Sequence, residues 1–329
     1  MPLPLSILDL APLAQGQTSQ SAIAHSVELA QLAETLRYHR VWYAEHHSLP
    51  GIASTAPDLM IAHIAQQTRS IRLGAGGVML PNHAPLRIAE AYRLLEAMHP
   101  GRIDLGLGRA AGTDQRTALA LRGSRELTVR DDFAEQLDEL VAWGRGEPIQ
   151  GVSAQPDDVA MPPIWLLGSS DYSARLAAQR GYPFAFAAHF SPSPPDAPMA
   201  AYRDGFKPGV IAEPQAMLAV AAFVADTAEE AEALARPALI AFVRLRTGRP
   251  TRPPTSAQAQ NYQFSPTEEA VAAHVRATQI VGTPDAVAAR IAALAERTRA
   301  SEVMVASHAV DHPGRLRSFI LLAEAWARR

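Results

Sequence analysis

Apolar positions along this chain switch repeatedly between two spacings. Short runs of β-branched, aromatic and aliphatic residues alternate with stretches in which apolar residues recur three and four apart. Residues 4–10 read as a first strand, and Ile23, Val27, Ala30 and Ala33 place a helix behind it. Residues 41–44 form a second strand, 57–67 a helix and 71–75 a third strand. Ile88, Ala91, Leu95 and Met98 make the next helical stripe, which His99-Pro100-Gly101 ends, the glycine supplying a left-handed cap. A fourth strand covers 102–108, with a long helix over roughly 129–143. Residues 163–167 and 183–187 are the fifth and sixth strands, separated by a helix over 172–179. The seventh strand, 216–224, is long and almost wholly apolar, and Asp226-Thr227-Ala228-Glu229 caps the helix after it with a carboxylate and a Glu three residues on. Residues 301–306 are the eighth strand, and a helix over 316–327 closes the chain.

Eight strands alternating with helices predict an α/β protein, a (β/α)8 TIM barrel spanning residues 1–329 as a single domain. A doubly wound sheet is the rival, but the G-x-G-x-x-G turn expected after its first strand is missing. Two stretches interrupt the alternation, 191–198 after strand six and 246–264 after strand seven. The second ends at Ser265-Pro266-Thr267-Glu268, a capping box with Pro at the first helical position. It is longer than a connection needs, so it is a lid, an excursion of the seventh loop, or a mobile surface insertion.

Composition narrows the chemistry. The 329 residues are 48% hydrophobic and 19% charged, which marks a globular chain of two ordinary domains or one large barrel. A net charge of −3 gives no electrostatic reason to expect nucleic acid or an anionic membrane as partner. With no cysteine, disulfides, thiol catalysis and thiolate metal sites drop out together. No basic segment precedes an apolar leader, and no run reaches the ~18 apolar residues of a membrane span. The expectation is a soluble, cytoplasmic protein.

Barrel ligands sit at the C-terminal ends of the strands. There this chain carries Glu45-His46-His47, Gly74-Ala75-Gly76-Gly77, Gly106-Leu107-Gly108-Arg109 and Gly168-Ser169-Ser170-Asp171. Adjacent residues of a strand point to opposite faces, so only one of His46 and His47 faces the mouth. With no H-E-x-x-H and no cysteine, proton transfer suits the pair better than a metal. Gly168-Ser169-Ser170-Asp171 opens a helix, as a phosphate loop or as an ordinary N-cap. Glycines within strands mark close approach of a ligand, or a bulge. Arg109, near Asp114, suits a phosphate or a surface ion pair. His25, His39, His63, His99, His274 and His312 read as structural.

Taken in order, these pieces resemble the luciferase-like flavin monooxygenase superfamily, which contains bacterial luciferase. The resemblance is carried by Val41-Trp42-x-x-Glu45-His46-His47, Ile71-Arg-Leu-Gly-x-Gly-Gly-Val-Met-Leu-Pro81 and His83-x-Pro85-Leu-Arg-x-Ala89-Glu90. It continues through Leu94-Leu-Glu-Ala-Met-His-Pro-Gly-Arg-Ile-Asp-Leu-Gly-Leu-Gly-Arg109, Pro163-Ile-Trp-Leu-Leu-Gly-Ser-Ser170 and Val281-Gly-Thr-Pro284. Each piece is weak alone, but their order over nearly the whole chain is specific. Gly112-Thr-Asp114 and Leu167-Gly-Ser-Ser170 are similar to the alkanal monooxygenase-like branch often labelled the MsnO8 type.

The resemblance implies a barrel that receives reduced FMN from a separate NAD(P)H:flavin reductase and uses O2 to oxidise a small or medium apolar organic substrate. It also implies a homodimer packed through helices near the start of the barrel. His46 matches the family's general base near the flavin and His47 its neighbour. Gly76 and Gly77 match small residues against the ring, where a non-proline cis peptide is common, and Gly108 matches a position at its reactive edge. Arg109, Ser169, Ser170 and Tyr172, in the loop opened by Gly168, match the phosphate site, and Arg130 matches a second phosphate arginine. The alternatives are hydride transfer with F420, used by a sister branch of the barrel, and a non-catalytic flavin-binding protein. Luciferase has a cysteine at Gly108 and a glutamate at Gly168, so light emission is not implied. A glycine usual just before strand two is missing from Arg37-Tyr-His-Arg40, which leaves the helix end there open.

Overall fold

The computed structural model describes residues 3–110, 112–122, 132–191 and 193–329. Its strands in chain order are β1 (Leu5–Asp9), β2 (Arg40–Tyr43), β3 (Arg72–Met79), β4 (Ile103–Gly108), β5 (Ile164–Gly168), β6 (Phe184–Ala187), β7 (Ala216–Val224), β8 (Gln279–Gly282) and β9 (Glu302–Ala306). All described pairings among these strands are parallel. They run β1-β2-β3-β4-β5-β6-β7-β9 and return to β1, which closes an eight-stranded barrel. The expected (β/α)8 architecture holds, and closure excludes the open doubly wound sheet. β8 was not expected. It pairs with Ala221–Val224, the C-terminal end of the long β7, and its Gln-Ile-Val-Gly holds only two consecutive apolar residues, too short a run to stand out.

The helices are α1 (Ser19–Thr35), α2 (Pro57–Ala65), α3 (Pro85–Met98), α4 (Gln115–Arg122), α5 (Phe133–Gly144) and α6 (Asp171–Arg180), then α7 (Asp196–Asp204), α8 (Ala228–Arg246), α9 (Ser256–Gln260), α10 (Pro266–Ala277), α11 (Pro284–Thr298) and α12 (His312–Ala327). Several boundaries differ from the sequence reading. The helix expected over 129–143 is described from Phe133, and residues 129–131 lie outside the described residues. The stretch 191–198 already contains the start of α7. The stretch 246–264 carries α9 under its own capping box, Thr255 and Gln258. At α8 the cap is Thr227 with Glu230, because Asp226 pairs with Arg317 instead. The box at Ser265 and Glu268 forms as read.

α1 ends without glycine by placing Arg37 at φ +60°. The Tyr38 N–H then reaches the Ala33 carbonyl at 2.9 Å and the Arg37 N–H that of Glu34 at 3.2 Å, a closing motif usually built on glycine.

Strands buried on both faces need apolar side chains throughout, and β7 is buried at all nine positions. Outward-facing Val41, Leu73, Leu105 and Leu166 meet Leu29, Ile61, Tyr92 and Leu137 of the helices. Inward-facing Leu8, Trp42, Trp165, Met217 and Met304 fill the barrel. Towards its N-terminal end the barrel is plugged by ions. Arg40 binds Glu302 at 2.9 and 3.0 Å and Asp104 at 2.8 Å, and Asp104 also accepts from Arg72 and from the Trp42 indole at 3.1 Å. Gly74 leaves room for that indole, since a Cβ there would stand 2.6 Å from Trp42 Nε1. With that end closed, the loops at the strands' C-terminal ends face the open interior.

Candidate active site at the barrel mouth

A cavity of about 410 Å³ opens there, with largely apolar walls. Leu8, Trp42 and Met304 form its floor, and the loops after the strands form its rim. His46, Gly76, Gly77, Gly108, Arg109, Gly168, Ser169 and Ser170 all line it. The structure thus brings most of the residues singled out from the sequence to one cavity. His47 and Tyr172 are not on its wall, and Arg130 lies outside the described residues.

His46 is held from two sides. Its backbone N–H donates to Ser54 O at 3.2 Å, and its Nδ1 lies 3.0 Å from Gly112 O. A carbonyl can only accept, so Nδ1 carries the proton and Nε2 keeps its lone pair. Burial pushes the His46 pKa below its ordinary value, against the Gly112 carbonyl and the charge of Glu45. The ring is therefore neutral and able to accept a proton at neutral pH.

His47 has a different role. Its Nε2 donates to Glu45 Oε1 at 2.9 Å, and His83 Nε2 stands 2.9 and 3.0 Å from the two oxygens of the same carboxylate. Met79 N–H adds a bond at 2.9 Å. Burial works against the Glu45 charge, but His83, His47 and Met79 together hold its carboxyl below the usual range. Glu45 thus ties the loop after β2 to the end of β3, and His47 serves this anchor.

The glycines are needed by the wall itself. The β3–β4 register slips between Ala75 and Val78, where the Gly76–Gly77 peptide is cis. A Cβ on Gly77 would stand 2.4 Å from Leu167 Cδ1 and 2.8 Å from Gly106 O, and one on Gly76 2.7 Å from Leu8 Cδ1. The bulge reading of these glycines therefore holds, and the bulge also lines the cavity.

On another side, Arg109 lies over the Tyr172 ring at 4.1 Å. Asp114 caps α4 through Arg116 N at 2.9 Å and Thr117 N at 3.1 Å. Ser170 is the N-cap residue of α6 yet makes no side-chain capping bond, so its hydroxyl is not spent on the helix. A guanidinium, serine hydroxyls and a helix N-terminus converge there, the donor set that suits a phosphate.

Two lining residues escaped the sequence reading, His189 and His308. Each follows an apolar strand by two residues, β6 and β9 respectively, and that position was a usable signal. Both rings keep some accessible surface that opens into the cavity, although protein surrounds them. Burial pushes His189 down to about 4, opposed by the Ala219 carbonyl, and His308 down to about 3, helped by His189 and Arg315. No group of three His, Cys, Asp or Glu among the described residues is placed to hold a metal ion. No helix of the described residues is long and apolar enough to cross a membrane.

Comparison with known proteins agrees with this geometry. The chain is 43% identical to a luciferase-like monooxygenase of Escherichia coli (strain K12), over 96% of this chain and 95% of that one. It is 38% identical to the N-acetyl-S-alkylcysteine monooxygenase of Bacillus subtilis (strain 168), over 78% of each. The crystal structure of apo-MsnO8 matches with a TM-score of 0.88 and 34% identity, covering 99% of this chain and 98% of that one. The family model described as luciferase-like monooxygenase matches residues 3–302, and with it the chain belongs to the luciferase-like monooxygenase family.

Proposed function

We propose that this protein is the oxygenase of a two-component, FMN-dependent monooxygenase. It takes reduced FMN from a separate NAD(P)H:flavin reductase and uses O2 to oxidise a small or medium apolar organic molecule. One observation carries the reading. A single apolar cavity combines a neutral imidazole with a free Nε2, at His46, and a phosphate-type donor set, at Arg109, Ser169 and Ser170.

These residues fit the cofactor. The slot over Gly76, Gly77 and Gly108 suits a flat ring, and the α6 N-terminus with Arg109 suits its phosphate. When bound, reduced FMN supplies the electrons that activate O2, and the protein supplies position, proton transfer and dryness. His46 Nε2 would accept a proton and return it, and the Gly112 carbonyl keeps the imidazole in the accepting tautomer. The apolar walls exclude water that would divert the reaction. Residues 246–264 act as a lid. In support, Arg246 reaches the cavity, the Pro253 carbonyl accepts from Gln15 at 3.0 Å, and Arg252 donates to Gln17 O at 3.0 Å.

The test is binding and turnover together. FMN, rather than F420, is expected to raise the thermal melt. His46→Ala is expected to keep FMN affinity and lose O2 consumption with a reductase. Unchanged turnover in that variant rejects the role of His46, and no FMN binding by the wild type rejects the cofactor.

A further inference from the structure

We infer that His189 and His308 form a substrate-recognition pair that takes an uncharged group able both to donate and to accept a hydrogen bond, such as a carboxamide, in preference to a carboxylate. This rests on reading the cavity as the substrate pocket.

The two rings reach the cavity from the two strands that flank β7. In the closed barrel β6 lies opposite β2, and β9 opposite β4. His189 therefore faces the pocket from across His46, and His308 from across Arg109. His308 also lines an adjoining apolar pocket with Pro250 and Pro253, and both histidines line a smaller one with Arg246. They thus stand where the branches of the cavity meet.

Both rings are packed by aromatic neighbours. Phe190 stands edge-on to His189 at 4.6 Å, and Phe242 to His308 at 5.4 Å. His189 Nδ1 and His308 Nε2 are shut off from the cavity, which leaves His189 Nε2 and His308 Nδ1 as the ring nitrogens open to it. A ligand that enters this apolar space and displaces water from the two open nitrogens must replace their hydrogen bonds, or it leaves them unpaired at a cost. Both imidazoles are neutral, because burial holds their pKa values at about 4 and about 3. A neutral imidazole offers one donor and one acceptor. A carboxamide matches a pair of such rings, whereas a carboxylate only accepts and brings a charge into an apolar space. The nearby Arg315 guanidinium is committed to Asp9 at 2.7 Å and Ser307 O at 3.0 Å, and Arg246 lies exposed at the rim.

Hexanamide and hexanoate, equal in length and different in charge, are the probes. Calorimetric titration of the FMN-loaded protein is expected to show hexanamide binding at least ten-fold more tightly. His189→Phe and His308→Phe are each expected to weaken hexanamide at least five-fold and leave FMN affinity unchanged. His308→Gln, which keeps a donor and an acceptor, is expected to restore most of the loss. Equal or tighter binding of hexanoate, no hexanamide binding, or full hexanamide affinity in both Phe variants overturns the inference. If the wild type does not bind FMN, the cofactor reading fails instead, and the same titrations without FMN decide this site.

Discussion

The Nδ1 of His46 stands 3.0 Å from the carbonyl oxygen of Gly112, and that contact sets the ring's tautomer. Gly112 can present this carbonyl because it sits at φ +66°. A Cβ there would stand 2.8 Å from Glu45 O and 3.0 Å from Met79 Cγ. Glycine at this position is therefore both a conformational and a packing requirement. Gly112→Ala is expected to cost roughly 1–3 kcal/mol of stability, from left-handed backbone and overpacking together. It is expected to lower turnover by about 100-fold through misplacement of the His46 ring, with FMN affinity largely kept. Urea denaturation and oxygen uptake check both, and wild-type values in each would show that Gly112 does not anchor His46.

The buried histidines also make the fold acid-sensitive. The pKa values of His46, His189 and His308 are all depressed from 6.5. Above about pH 6.5 all three are neutral in the folded and the unfolded chain and add no pH dependence. Below it, the unfolded chain takes up protons that the folded chain refuses, so stability falls with pH. Each histidine contributes up to about 1.4 kcal/mol per pH unit. The window extends down to about 4 for His189 and about 3 for His308. Replacing both by Gln is expected to flatten the fall in urea midpoint between pH 6.5 and 4.5. His46, His25, His39 and His99, also depressed, and the carboxylates of Asp9, Glu34 and Glu45, held low in the fold, remain in both proteins and supply the residual slope. Parallel profiles for variant and wild type would remove the histidines as the cause.

Much of this was legible because buried parallel strands write themselves as apolar runs. All eight barrel strands stood out, β7 most clearly, and the strand ends led to His46, Arg109 and the Ser169-Ser170 loop. Three kinds of feature stayed hidden. β8 holds only two consecutive apolar residues, Ile280 and Val281, and pairs with the end of β7 outside the barrel's closed ring. The apparent isolation of Asp226 as a cap ignored Arg317, ninety-one residues away in sequence and paired with it at 3.1 Å. His189 and His308 were passed over although each lies two residues beyond an apolar strand, because no adjacent titratable residue marks either as part of a site. Their meaning comes from barrel closure, which brings β6 and β9 round to one cavity.

Arg37 shows a local rule broken at a readable cost. A non-glycine residue at φ +60° is disfavoured, yet the closing bonds of α1 require that geometry. The Arg37 side chain is exposed, so little packing is lost on removing it. Arg37→Gly relieves the left-handed strain and adds some freedom to the unfolded chain, for an expected net gain of about 0.5–1 kcal/mol. Arg37→Val, branched at Cβ, is expected to destabilise. Thermal melts of the two variants are expected to move in opposite directions, and a shift in the same direction would contradict this account of the helix end.

The proposed phosphate end of the cavity can be separated from the proposed ring end by choice of ligand. Riboflavin carries the ring without the phosphate, so only FMN should feel changes at Arg109 and Ser170. A hydrogen bond to a charged group contributes about 1.5–3 kcal/mol, so Arg109→Gln is expected to weaken FMN by roughly 10- to 100-fold. Ser170→Ala, which removes a neutral hydroxyl, is expected to cost about five-fold. Tyr172→Ala acts one step further out. It removes the ring that lies 4.1 Å from the Arg109 guanidinium and so frees that group to turn away. A cation–π contact at a half-exposed site is worth about 0.5–1 kcal/mol, so the expected loss is roughly two- to five-fold. In all three variants riboflavin affinity should stay at the wild-type value. Fluorescence titration with both flavins gives the answer, and an equal loss for riboflavin would move Arg109 from the phosphate to the ring or to the wall itself.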